Sequence, residues 1–163
     1  MPTAPSPSLQ TVLPAVGSKN RTWKGKNVPV LKTLIVDDHA AVRNALRGLI
    51  EAEPGLECVG EAANGLLAME AVRTLQPDLM LLDINMPERN GLEVLRLLRF
   101  DKNNVLIVIL SNHTDVHYVD AAMRLGANAF VRKDSGFEVL LEAIQTILTG
   151  EVFVDTGTAS SFV

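Results

Sequence analysis

Two adjacent carboxylates, Asp37 and Asp38, end the apolar run Leu34 to Val36. A third, Asp83, ends "LMLL"; Ser111 ends "LIVIL"; Lys133 follows "FVR". Three carboxylates in a small space do not all stay ionised without a counter-charge. A divalent cation supplies one. Oxygen-only donors select a hard ion, and Mg2+ takes few protein carboxylates while keeping several waters. Asp37 and Asp38 are therefore candidates to hold Mg2+ beside Asp83, although Asp38 competes for a second role as N-cap of a helix from Ala40. A carboxylate in such a site can accept a phosphoryl group as a nucleophile. Positioning and charge neutralisation then carry most of the chemistry, with Lys133 as the cation and Ser111 as a hydroxyl donor. His39 is expected at the mouth of the site. Neither GxxxxGK[ST] nor GxGxxG occurs, so nucleotide binding has no support.

These residues meet only if the fold delivers them to one edge. "KTLIVD", "LECVGEAA", "PDLMLLD", "VLIVILS" and "NAFVRK" have strand length, and four are nearly continuous in apolar residues, as strands covered on both faces are. Helical spacing separates them. Predicted buried faces are Val42, Leu46, Leu49 and Ile50; Leu67, Ala71 and Leu75; Leu92, Leu95 and Leu98; Val116, Val119 and Met123; and Leu140, Leu141, Ile144 and Leu148. Ser135 with Glu138 reads as a capping box for the last helix, Gly150 as its end and Gly126 as the end of the helix before it. Five strands alternating with five helices predict an α/β flavodoxin-like, doubly wound parallel sheet of order 2-1-3-4-5. Ligands of such sheets bind at the carboxyl ends of the strands. All five polar residues fall there.

The 163 residues suggest one domain with tails: a flexible basic tail over 1–30, a domain over 31–150 and a C-terminal linker or tail over 151–163. Lys19, Arg21, Lys24 and Lys26 give the first segment +4, leaving −8 on the rest of a chain of net charge −4. That acidic body argues against direct nucleic-acid binding. No apolar run approaches the ~20 residues that span a bilayer, and no signal peptide is evident. The single Cys58 is expected to be a packed thiol in a cytoplasmic protein.

The elements "VDDH", "LLDINMPERNG", "ILSNH" and "AFVRKD", in this order and spacing, closely resemble the receiver domain of bacterial two-component response regulators. The segments "GANAFVRKD" and "LLEAIQTILTGEVFV" resemble the NarL/FixJ type. The resemblance covers about residues 32–150. It implies that Asp83 is the phospho-acceptor, that Asp38, Asp83 and the Asn85 carbonyl ligate Mg2+ with Asp37 assisting through water, and that Ser111 and Phe130 form a switch pair. Pro87 and Gly91 match the loop after the phospho-acceptor. It further implies a sensor histidine kinase as partner, a possible homodimer, no membrane, and a signalling switch that phosphorylates and dephosphorylates itself. Asp134 stands where many receivers carry a cis proline, so the geometry of that bond is open. By position, Asn85, Asn112 and His113 should rim the acceptor and set the phosphoryl lifetime. No helix-turn-helix follows the last helix within the sequence, so the chain reads as a stand-alone receiver or a piece of a transcription regulator. An aspartate-nucleophile phosphohydrolase fits less well, because such enzymes carry a DxD pair after the first strand. A degenerate binding module is disfavoured by the intact five-residue set.

Overall fold

A computed structural model describes residues 20–23, 25–86, 89–112 and 115–155. Its elements are β1 (Asn20–Trp23), β2 (Lys26–Pro29), β3 (Leu31–Val36), α1 (Ala40–Glu51), β4 (Leu56–Ala62), α2 (Gly65–Leu75) and β5 (Leu79–Asp83). There follow α3 (Gly91–Phe100), β6 (Leu106–Ser111), α4 (Val116–Arg124), β7 (Ala129–Arg132), α5 (Phe137–Leu148) and β8 (Phe153–Val154).

Strands β3 to β8 form one parallel sheet of order β4-β3-β5-β6-β7-β8. The first five places reproduce the expected 2-1-3-4-5 order. Because side chains alternate across a strand, each central strand feeds two cores. Leu34, Val36, Met80, Leu82, Ile107, Ile109 and Phe130 pack on one face with α2, α3 and α4. Leu31, Ile35, Leu79, Leu81, Leu106, Val108, Leu110 and Val131 pack on the other with α1 and α5. Each fully buried aliphatic side chain contributes roughly 1.5–3 kcal/mol, so the central strands are the least deformable part of the fold.

Four expectations need correction. The sheet has a sixth strand, because Phe153–Val154 pairs with Ala129–Phe130 inside the segment read as a linker. Part of the segment read as flexible, residues 20–29, is an antiparallel hairpin. Its register pairs Trp23 with Lys26, and Gly25 before Lys26 takes a φ of +77° that suits glycine in a tight turn. The Ser135–Glu138 capping box is not formed: α5 begins after Gly136, and the Ser135 hydroxyl donates instead to Asp155. Finally, the buried stripe of α2 runs through Gly65, Ala68 and Val72 and that of α4 through Ala122, leaving Leu67, Leu75 and Val116 exposed. Small side chains let these helices lie close to the sheet, so they take the innermost positions. In α1, Ile50 is buried while Leu49 is exposed.

Gly126 and Gly150 do follow the ends of α4 and α5, both at positive φ. Cys58 is half-buried, packed beside the α1/α5 core, and burial raises its thiol pKa. No peptide bond among the described residues is cis, so Lys133–Asp134 is trans.

Candidate functional site

Strands β3, β5 and β6 stop at one edge of the sheet, and each stops on a polar residue. Asp37 follows β3, Asp83 ends β5 and Ser111 ends β6; all three are buried. Lys133 directly follows β7, and its backbone N–H donates to the Ser111 carbonyl at 2.9 Å. The five residues singled out by the sequence therefore lie along one edge.

Asp37 is anchored on every side. Its N–H donates to the Ala62 carbonyl at 3.1 Å, and its Oδ1 accepts the His39 N–H at 2.9 Å. Its Oδ2 lies 2.7 Å from Lys133 Nζ. The same Nζ is 3.3 Å from Asp83 Oδ2, so one ammonium bridges two carboxylates. Asp83 Oδ1 accepts the Asn85 N–H at 3.3 Å. Burial, and then Asp37, push the Asp83 carboxyl above its ordinary pKa; Lys133 opposes this without cancelling it. Burial alone would lower the Lys133 pKa, but the bond to Asp37 and the charge of Asp83 raise it overall. Lys133 thus stays charged.

Asp38 is the exception to this satisfaction. The N-cap of α1 is His39, with no side-chain cap, so Asp38 does not take the capping role open to it. Its Oδ1 is buried without a hydrogen-bonded donor. His39 Nδ1 stands 2.9 Å from that oxygen but lacks hydrogen-bond alignment, and its side chain is two-thirds exposed at the mouth of the site. One potential ligand atom from each of Asp37, Asp38, His39 and Asp83 lies within 4.8 Å of the others. Hard carboxylate oxygens, one of them buried without a hydrogen-bond donor, fit Mg2+.

Asn85 and Asn112 lie exposed at the rim; His113 and Pro87 lie outside the described residues. Gly91, at the start of α3, donates its N–H to Ile84, and a Cβ there would overlap the Asp83 carbonyl oxygen. Only glycine lets α3 approach the end of β5 so closely. Phe130 is fully buried in the core beside Ile109.

Residues 33–145 match the family model described as the response regulator receiver domain. The chain belongs to that family. Among curated relatives, the receiver is 40% identical over 119 residues to the nitrate/nitrite response regulator protein NarL of Escherichia coli, covering 73% of this chain and 55% of the relative. It is 36% identical over 123 residues to the transcriptional regulatory protein YdfI of Bacillus subtilis, covering 76% and 57%. A solved LuxR-family two-component response regulator from Aurantimonas sp. superposes with a TM-score of 0.72 at 33% identity, covering 76% of this chain and 89% of that one. These relatives place the receiver in the NarL/FixJ type. The chain spans about half the length of the curated relatives it matches.

Two residues beside the receiver's acidic pair were not singled out by the sequence. Arg43 of α1 donates to the Asp37 carbonyl, and Glu61 of β4 faces Arg43. The available signal was an arginine six residues after Asp37, in the first turn of a helix where a cation opposes the helix dipole.

Proposed function

We propose that this receiver takes a phosphoryl group on Asp83 from a phosphohistidine of a sensor histidine kinase and thereby changes a partner or dimer surface. The observation that carries the reading is Asp83 itself: a buried carboxylate, raised in pKa, with Lys133 Nζ at 3.3 Å and two further carboxylates alongside. An Asp83 oxygen attacks phosphorus as the donor's nitrogen–phosphorus bond breaks. Lys133, already shared between Asp37 and Asp83, neutralises charge on the incoming oxygens. Asp38, Asp83 and the Asn85 carbonyl would hold Mg2+, with Asp37 assisting through water, and the bound ion would supply charge neutralisation for the phosphoryl oxygens. Ser111 donates to the phosphoryl group, and Phe130 answers with its ring on the adjacent strand. Asn85, Asn112 and His113 at the rim admit or exclude the water that hydrolyses the acyl phosphate.

The relatives' names are those of transcription regulators, so the output proposed for the whole protein is transcription control. The acidic receiver itself is not the nucleic-acid surface. The proposed location is the cytoplasm, where histidine kinases present their phosphoryl groups; no helix among the described residues is long and apolar enough to cross a membrane.

Incubation with Mg2+ and acetyl phosphate, read by intact mass, tests the reading. One phosphoryl adduct is expected, absent with EDTA and absent in Asp83→Asn. An equal adduct on Asp83→Asn overturns the acceptor assignment. Ser111→Ala should still accept phosphate but lose any phosphorylation-dependent change in oligomeric state.

A further inference from the structure

The Asp37–Asp38 peptide is held by a contact that none of the five edge residues supplies. Arg43 Nη1 donates to the Asp37 carbonyl at 2.7 Å. That carbonyl belongs to the peptide joining the two acids, so its direction fixes where the Asp38 side chain leaves the backbone. The Asp38 side chain itself is loosely held: it caps no helix, and its buried Oδ1 has no hydrogen-bonded donor, only the largely exposed His39 ring at 2.9 Å. We infer that Arg43, steered by Glu61, positions the Asp37–Asp38 peptide and through it the Asp38 carboxylate for a divalent cation. This inference rests on the functional reading above.

The placement of Arg43 is costly unless it has such a use. It sits in the first turn of α1, where the helix dipole disfavours a cation. It also puts positive charge beside a site meant for another cation. Glu61 offsets both costs. Its Oε1 is 3.4 Å from Arg43 Nε, while its Oε2 is 2.9 Å from Arg47 Nη2, so its carboxylate is gripped from both sides. Glu61 is one residue before Ala62, whose carbonyl accepts the Asp37 N–H. The end of β4 thus holds the Asp37 backbone twice: directly through Ala62, and through Glu61 and Arg43 on the carbonyl side. The Arg43 side chain is only 18% exposed, so water competes weakly for these bonds.

Charge and geometry give opposite signs, and this makes the inference testable. If Arg43 acted only as a nearby positive charge, removing it would tighten Mg2+ binding. If it positions Asp38, removing it weakens binding, by about tenfold or more for the loss of a partner that orients a ligand. Isothermal titration calorimetry of the folded chain with MgCl2 reads this without any phosphoryl transfer. Arg43→Gln should bind Mg2+ about tenfold more weakly than wild type, at low and high KCl alike. Arg43→Lys, which keeps the charge but cannot fork to two partners, should recover only part of the loss. Glu61→Gln should also weaken binding, and the part that survives high KCl measures positioning, since salt screens the uncompensated Arg43 charge.

Arg43→Gln binding Mg2+ as tightly as wild type, or more tightly, overturns the inference. Should that variant fail to melt cooperatively, Glu61→Gln decides: no deficit at high KCl overturns it. If wild type itself binds no Mg2+, the functional reading falls and the role of Arg43 falls with it. Wild-type binding with an unimpaired Arg43→Gln removes the role of Arg43 alone.

Discussion

At the edge where the strands begin, Arg99 of α3 is half-buried, forms no ion pair among the described residues, and has its pKa pushed down by burial. Its guanidinium is nevertheless well bonded. Nε donates to the Gly126 carbonyl at 2.9 Å, Nη1 to the Asn103 carbonyl at 2.7 Å and Nη2 to Asn128 Oδ1 at 2.8 Å. Asn128 Oδ1 also takes the Ile107 N–H, so one fork ties α3, the start of β6 and the turn before β7. At the opposite edge, where the strands end, two carboxylates share one ammonium and Asp38 Oδ1 has no hydrogen-bonded donor. The first edge spends its polar atoms on holding the fold. The second leaves them partly unspent, which is the condition of a ligand site.

The largest expected effect breaks the first edge. Arg99→Met removes three hydrogen bonds from a charged group and leaves three acceptors short of a donor. A loss of roughly 2–4 kcal/mol is expected in urea unfolding. The affinity for Mg2+, measured by calorimetry, should stay within about twofold, because Arg99 lies at the far edge. Coupled losses of stability and Mg2+ affinity would erase the division of labour between the edges.

A smaller effect sharpens the second edge. Mg2+ at about ten times its dissociation constant should add about 1.4 kcal/mol by mass action, and EDTA should remove it. Asp38→Asn should abolish most of that gain while leaving the metal-free melting temperature nearly unchanged, because Asp38 has so few partners to lose. A full Mg2+ gain in Asp38→Asn would show that Asp37, Asp83 and His39 hold the ion without it.

The difference between the edges also explains what the sequence made legible. Asp37, Asp83, Ser111 and Lys133 were readable because each ends an apolar strand, and a parallel sheet gathers strand ends. Arg43 and Glu61 were not. They lie 18 residues apart in the chain, on a helix and a strand, and only the pairing of β3 with β4 brings them together. The sixth strand escaped notice because two residues, "FV", carry no period. Its place depends on the Asp155 N–H donating to the Phe130 carbonyl, and on the Asp155 side chain accepting from Arg132 and Ser135. Ser135 was misassigned for the same reason: its partner lies 20 residues onward, beyond any local capping pattern. The helix faces shifted because apolar spacing marks large side chains, whereas Ala68 and Ala122 make the closest approach to the sheet.

The smallest expected effect concerns the charge on Asp83 itself, and its sign runs against intuition. Burial, reinforced by Asp37, raises the Asp83 pKa in the folded chain above its unfolded value, despite the opposing pull of Lys133. A raised carboxyl pKa means that the folded state resists ionisation more than the unfolded state does. Above the ordinary carboxylate value the ionised Asp83 therefore costs stability, and the cost levels off once pH passes the raised folded value. Below the ordinary value Asp83 is protonated in both states and the cost disappears. Asp83→Asn keeps the shape and removes the charge, while Lys133 retains Asp37 at 2.7 Å. In EDTA at neutral pH the variant should melt higher than wild type, because the cost of ionising the buried Asp83 is gone. That advantage should shrink as pH falls through the carboxylate range, and Mg2+ should narrow it by stabilising wild type alone. Melting curves of the pair across pH check all three signs. A variant that melts lower than wild type at neutral pH without metal would mean that the Asp83–Lys133 pair stabilises the fold, and the two edges would then treat charge alike.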